Sequence, residues 1–153
     1  MDTLTVNTHQ FLDACFEVES TTAEMYYYFA ELFNDDAEMT RLWIKTAMEE
    51  ENHARHVQMA RKMMMSINWI SIEAWHNASR AMAMVKQIAR GVHNVPPTLA
   101  NALRLSIQCE NRMDYLHMQN AILMKERSGN SMFKAMLMED RGHTMMLMSA
   151  LHE

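Results

Sequence analysis

The residues most able to do chemistry in this sequence fall into a repeated pattern. Glu50 and His53 are three positions apart, as are Asp140 and His143. Each pair has a carboxylate upstream: Glu19 lies 31 residues before Glu50, and Glu110 lies 30 residues before Asp140. On a helix, positions i and i+3 share a face, so each carboxylate-x-x-histidine pair can grip one ion. Four carboxylates turned inward together would repel one another and be costly to desolvate. Two divalent cations would cancel that charge, and a mixed oxygen and imidazole donor set suits iron, manganese or zinc. One such pair is a weak signal. Two in register, each with its upstream carboxylate, are a much stronger one.

Neighbouring residues supply candidates for supporting roles. Tyr26 follows Glu19 by seven positions and His117 follows Glu110 by seven, two helical turns along the same face. A phenol at Tyr26 can hydrogen-bond a ligand carboxylate or quench a radical, or merely pack. His117 can donate protons from behind the ligands, or be an interior histidine with its own hydrogen bonds. Asp114 competes with Glu110 for the third-helix ligand position. His56 extends the row of Glu50 and His53 and reads as a rim residue. Glu49, Glu51 and Glu139 read as solvated helix faces.

These side chains must be positioned by helices. Apolar residues recur at spacings of three and four through Phe11, Leu12, Cys15, Val18, Tyr26, Phe29 and Phe33, and again through Met39, Trp43, Ala47, Ala54 and Val57. Asn34-Asp35-Asp36 breaks the first run and can cap the second. A shorter amphipathic run covers Ser71 to Arg90, with Gly91 as its expected stop. Asn94-Val95-Pro96-Pro97 is the clearest linker, and proline is tolerated in the first turn of the helix that follows. That helix runs to about Lys125. Ser128-Gly129-Asn130 reads as a turn, and Ser131 to Leu151 as the last helix. The expectation is a single all-α domain over residues 1–153: one hairpin at 8–65, a crossover at 66–96 holding a short extra helix, and a second hairpin at 97–151. A plain up-and-down bundle with an added helix remains open.

Composition narrows the classes. The chain has 153 residues, of which 49% are hydrophobic and 22% charged, with only 3 Gly and 2 Pro. So few chain breakers argue against a β-sandwich or barrel. The net charge of −5 and the scattered Lys and Arg argue against nucleic-acid binding. No stretch approaches the roughly 18 apolar residues of a membrane span, and Met1-Asp2-Thr3 does not begin a secretory signal. Cys15 and Cys109 stand alone, with no Cys-x-x-Cys, which suits a reducing cytoplasm. The 19 methionines are contiguous in places, as at Met63-Met64-Met65, rather than spaced as a copper motif, and read as flexible core and interface filler.

The sequence resembles the rubrerythrin branch of the ferritin-like di-iron carboxylate proteins. Glu19-Ser20 followed by Tyr26-Tyr27-Tyr28-Phe29-Ala30 resembles that family's first helix. Ala47-Met48-Glu49-Glu50-Glu51-Asn52-His53-Ala54 resembles its second, Glu110-Asn111 with Tyr115 its third, and Asp140 to His143 its fourth. The resemblance implies a ferritin-like four-helix bundle. It implies six metal ligands, Glu19, Glu50, His53, Glu110, Asp140 and His143, with Glu50 and Glu110 or Asp140 as bridges between two iron ions. It further implies reduction of hydrogen peroxide or dioxygen, fed by a separate electron-donor protein because no rubredoxin module is present. Two departures stand out. Asp140 occupies a place where the family has Glu, and Met113 stands where rubrerythrins carry a further glutamate. Iron storage with ferroxidase activity, a manganese pair with catalase chemistry, and a vestigial or zinc-filled site are the rival readings. A homodimer is the expected assembly.

Overall fold

In the computed structural model, residues 5–63, 69–124 and 127–153 are described. Among the described residues the chain is all-helical but for one short strand pair. Strand β1 (Thr5–Asn7) leads into helix α1 (Thr8–Leu32), followed by α2 (Ala37–Met63), strand β2 (Trp69–Ser71), α3 (Ile72–Asn94), α4 (Leu99–Leu123) and α5 (Arg127–Leu151). β1 and β2 pair antiparallel, with Val6 opposite Ile70. Sequence periodicity did not foresee this pair, because three-residue strands are too short to show an alternation.

Capping side chains start four of the helices. Asn7 accepts from the His9 N–H at 2.8 Å, Asp36 from Met39 at 3.1 Å, Ser71 from Ala74 at 3.3 Å and Thr98 from Asn101 at 3.3 Å. Each satisfies an amide that the helix itself leaves unbonded. Two expected boundaries are corrected. Gly91 does not stop α3, which runs on to Asn94 with the Val95 N–H bonded to the Gly91 carbonyl. Gly91 keeps an ordinary helical backbone, Val92 is buried, and Tyr28 donates to the Val92 carbonyl at 3.2 Å. Tertiary contact therefore holds the last turn until Pro96 and Pro97, which lack an N–H to continue it. Ser128-Gly129-Asn130 is not a turn but lies in the first turn of α5, and the Asn130 amide donates to the Ala121 carbonyl of α4. The expected ends of the second and fourth helices at Met65 and Lys125 fall outside the described residues.

α1 packs along α2, and α4 along α5, as two hairpins, while α3 packs against both α1 and α4. The buried stripe of α3 is Ala74, Ala78, Ala81 and Val85. These small residues let its backbone approach the hairpins closely. The core is aromatic toward both ends of the helices. Tyr26 and Phe29 flank Trp43 at ring distances of 5.6 and 5.0 Å, and Phe11 meets Phe133 at 6.3 Å. No described helix is long and apolar enough to cross a membrane.

Candidate metal centre

Between those aromatic clusters the helices turn polar side chains inward. Glu19 comes from α1, Glu50 and His53 from α2, Glu110 from α4, and Asp140 and His143 from α5; all six are buried, none more than 3% exposed. The two candidates for the α4 position part company. Glu110 joins the cluster, whereas Asp114 lies near the surface and pairs with Arg141 at 3.2 Å. His56 is exposed.

The six residues form two donor groups. One is Glu19, Glu50 and His53; the other is Glu50, Glu110, Asp140 and His143. Within each group, one donor atom per residue lies within 4.8 Å of the rest, a spacing that can hold a metal ion. Glu50 belongs to both. Its Oε2 lies 3.3 Å from His53 Nδ1 and its Oε1 lies 3.0 Å from His143 Nδ1, so its two oxygens face the two groups separately.

Hydrogen bonding divides the donor atoms cleanly. Glu19 Oε2, His53 Nδ1, Glu110 Oε2, Asp140 Oδ1 and His143 Nδ1 are buried without a hydrogen-bond partner, as are both oxygens of Glu50. The opposite atom of each of the other five residues is held. Tyr26 donates its phenol proton to Glu110 Oε1 at 2.8 Å. His117 bonds Glu19 Oε1 through Nε2 at 2.6 Å and Asp140 Oδ2 through Nδ1. His53 Nε2 donates to Glu139 at 2.6 Å, and His143 Nε2 to Glu49. With the proton placed on Nε2, each histidine presents the lone pair of Nδ1 inward. Native proteins rarely leave buried polar atoms unpaired. Lone-pair atoms that face one another are stabilised by a proton or a cation between them, and the donor set therefore fits metal ions.

The electrostatics say the same. Burial alone would push the Glu19 carboxyl up, but the charge of His117 and hydrogen bonds around it hold it down at about 2. Burial, then the charge of Glu50, pushes Glu110 well above the carboxylate range. Asp140 is also raised, by burial first, against the opposing pull of His117. Burial disfavours the charged imidazoles, yet Asp140 and Glu19 raise His117 to about 10, and the nearby carboxylates of Glu110 and Glu50 raise His143 to about 11. Without an ion, the cluster thus retains protons to offset its negative charge. Two divalent cations can displace them.

Two residues in this arrangement were read from the sequence as solvated faces and are more than that. Glu49 and Glu139 reach from the surface to the clustered histidines, crosswise: Glu49 on α2 holds His143 of α5, and Glu139 on α5 holds His53 of α2. The signal available was the second acid immediately before each ligand, Glu49 before Glu50 and Glu139 before Asp140. Met113, where the resemblance looked for a glutamate, is fully buried and accepts a weak bond from the Thr22 hydroxyl at 3.8 Å. The chain matches no family model, no curated protein and no solved structure.

Proposed function

We propose that this chain is a ferritin-like four-helix bundle protein of the rubrerythrin type that reduces hydrogen peroxide or dioxygen at a pair of iron ions. The single observation that carries this reading is the set of seven buried, unpaired donor atoms on six residues, with both oxygens of Glu50 facing different groups. Two ferrous ions held there would supply two electrons on oxidation to ferric, enough with two protons to reduce hydrogen peroxide to two waters, or dioxygen to hydrogen peroxide. The chain's own residues have separate tasks. Glu50, with one oxygen facing each donor group, would help to hold both ions. Glu110 and Asp140 complete the second donor group, and Glu19 and His53 the first. Tyr26 keeps Glu110 oriented. His117, bonded at both nitrogens, is the buried group placed to carry a proton to either carboxylate it touches. Glu139, with a side chain about half exposed, leaves His53 one residue beneath the surface, which gives small oxidants and electrons a short way in. The electrons come from a separate donor protein, and the assembly is a homodimer in the cytoplasm.

Metal content and redox spectra of protein prepared with iron test this directly. The expected result is two irons per chain, an absorption band bleached by reductant and restored by hydrogen peroxide, and loss of the second iron in Glu50→Gln. Protein that takes up no transition metal, or that loads iron yet never turns over peroxide or dioxygen with any reductant, overturns the reading.

A further inference from the structure

His117 occupies a place that neither donor group accounts for. It lies on α4 two turns past Glu110, is 1% exposed, and stands between Glu19 of the first group and Asp140 of the second. Its Nε2 meets Glu19 Oε1 at 2.6 Å and its Nδ1 meets Asp140 Oδ2. The ring is packed in place, with Phe133 at 6.0 Å and His53 edge-on at 6.2 Å. Both nitrogens are thus spent on ligand carboxylates, and the oxygens left unpaired on those carboxylates, Glu19 Oε2 and Asp140 Oδ1, are the ones turned to the donor groups.

From this geometry we propose that His117 is a positioning residue that couples the two ions, so that loading of one group orients a ligand of the other. The inference rests on the metal-centre reading above. An imidazole is rigid and carries its two nitrogens in one plane, with their hydrogen-bond directions diverging at a fixed angle. A carboxylate drawn toward an ion by one oxygen fixes the direction of its other oxygen. Glu19, once bound through Oε2, fixes the His117 ring through Oε1, and the ring fixes Asp140 through Oδ2 with Oδ1 facing the second group. The next ion then meets a ligand already oriented and avoids the cost of ordering it. Asp140 needs such support because it is one methylene shorter than the glutamate of the resembling family and has less reach of its own. Opposing this coupling is the mutual repulsion of two dications, which favours stepwise loading.

The test is native mass spectrometry of the full chain titrated with cobalt(II) alone, read at one equivalent and at saturation. In the wild type the expected population at one equivalent is empty and doubly loaded chains, with few singly loaded. In His117→Ala and His117→Gln, singly loaded chains dominate at one equivalent, both variants still reach two ions, and the second ion binds about 10- to 100-fold more weakly. Glutamine has a single donor nitrogen and cannot donate to both carboxylates from opposite sides, so it fills the space without restoring the link. Added imidazole in His117→Ala is expected to return the population toward the wild-type pattern, and the cobalt EPR signal of isolated ions falls with it. A wild type that accumulates singly loaded chains but saturates at two ions overturns the coupling and leaves the metal centre standing. Variants that saturate at one ion also overturn it, because His117 would then be a ligand itself. A wild type that binds no cobalt overturns both readings.

Discussion

At the scale of single residues, the division between inward and outward atoms does most to define the site. Six clustered residues present seven unpaired donor atoms, while Tyr26, His117, Glu49 and Glu139 hold the atoms on the far side. Glu49 and Glu139 offer a test that separates metal binding from folding, because both reach solvent and neither belongs to the core. Glu49→Gln and Glu139→Gln are expected to weaken metal affinity by about 10- to 100-fold each. Surface substitutions of this kind usually shift stability by no more than about 0.5 kcal/mol. Competitive titration against a chelator, beside thermal melts of the metal-free variants, reads both quantities. Unchanged affinity in both variants would mean that these carboxylates do not tune the histidines. The pairs Glu50 with His53 and Asp140 with His143 were legible in the sequence, since the three-residue spacing fixes a shared helix face whatever the surroundings. The roles of Glu49 and Glu139 were not. Periodicity places a residue on the outside of its own helix, and only the neighbouring helix decides whether an outward carboxylate meets water or a histidine. The choice of Glu110 over Asp114 had the same character, since it depends on how α4 is rotated against α5.

At the scale of elements, each residue of the cluster lies well inside a helix of 25 or 27 residues. A buried carboxylate costs several kcal/mol even when paired, and it is tolerated where long packed helices on either side hold the backbone fixed. The helical period and the polar breaks at Asn34-Asp35-Asp36 and Pro96-Pro97 made those helices legible. Their ends were less so. Gly91 and Gly129 both read as punctuation, yet one continues α3 and the other lies in the first turn of α5, because neighbouring helices supply contacts that outweigh the entropy cost of glycine. Gly142 makes that cost measurable. It sits in the middle of α5 between Asp140 and His143, has no positive φ, and an added Cβ would meet nothing within 4 Å. Gly142→Ala is therefore expected to stabilise the metal-free protein by about 0.5–1 kcal/mol, read as a higher midpoint in urea with an unchanged slope. The ion count should stay the same, since the new methyl group touches neither ligand. A lower midpoint would show that α5 bends at Gly142 and uses its freedom.

At the scale of the whole molecule, stability depends on keeping charge out of a core that already contains an ionic centre. The chain carries one cysteine in each hairpin, Cys15 on α1 and Cys109 on α4, both buried and unpaired with each other. Burial pushes the Cys109 thiol up to about 12, and it pushes the Cys15 thiol up strongly too, with the nearby Glu19 charge adding to it. Asn120 donates to Cys15 Sγ at 3.7 Å, which offsets little of that rise. In the folded molecule Cys15 stays neutral, whereas in the unfolded chain it ionises near its ordinary value of 9.0. Above that pH the folded state holds a proton that the unfolded state has lost, so rising pH favours unfolding. The contribution is complete below pH 9 and declines above it, by at most about 1.4 kcal/mol per pH unit for this one group. Other groups titrate in the same range, among them the imidazoles of the centre, so the wild-type curve alone cannot assign the slope. Comparison with Cys15→Ala does. At pH 7 the variant should be less stable than the wild type, since it loses buried volume and the contact with Asn120. Between pH 9 and 11 the two stability curves should converge and cross, because only the wild type carries the Cys15 penalty. Parallel curves across that range would mean that the Cys15 thiol ionises as readily in the folded core as in water.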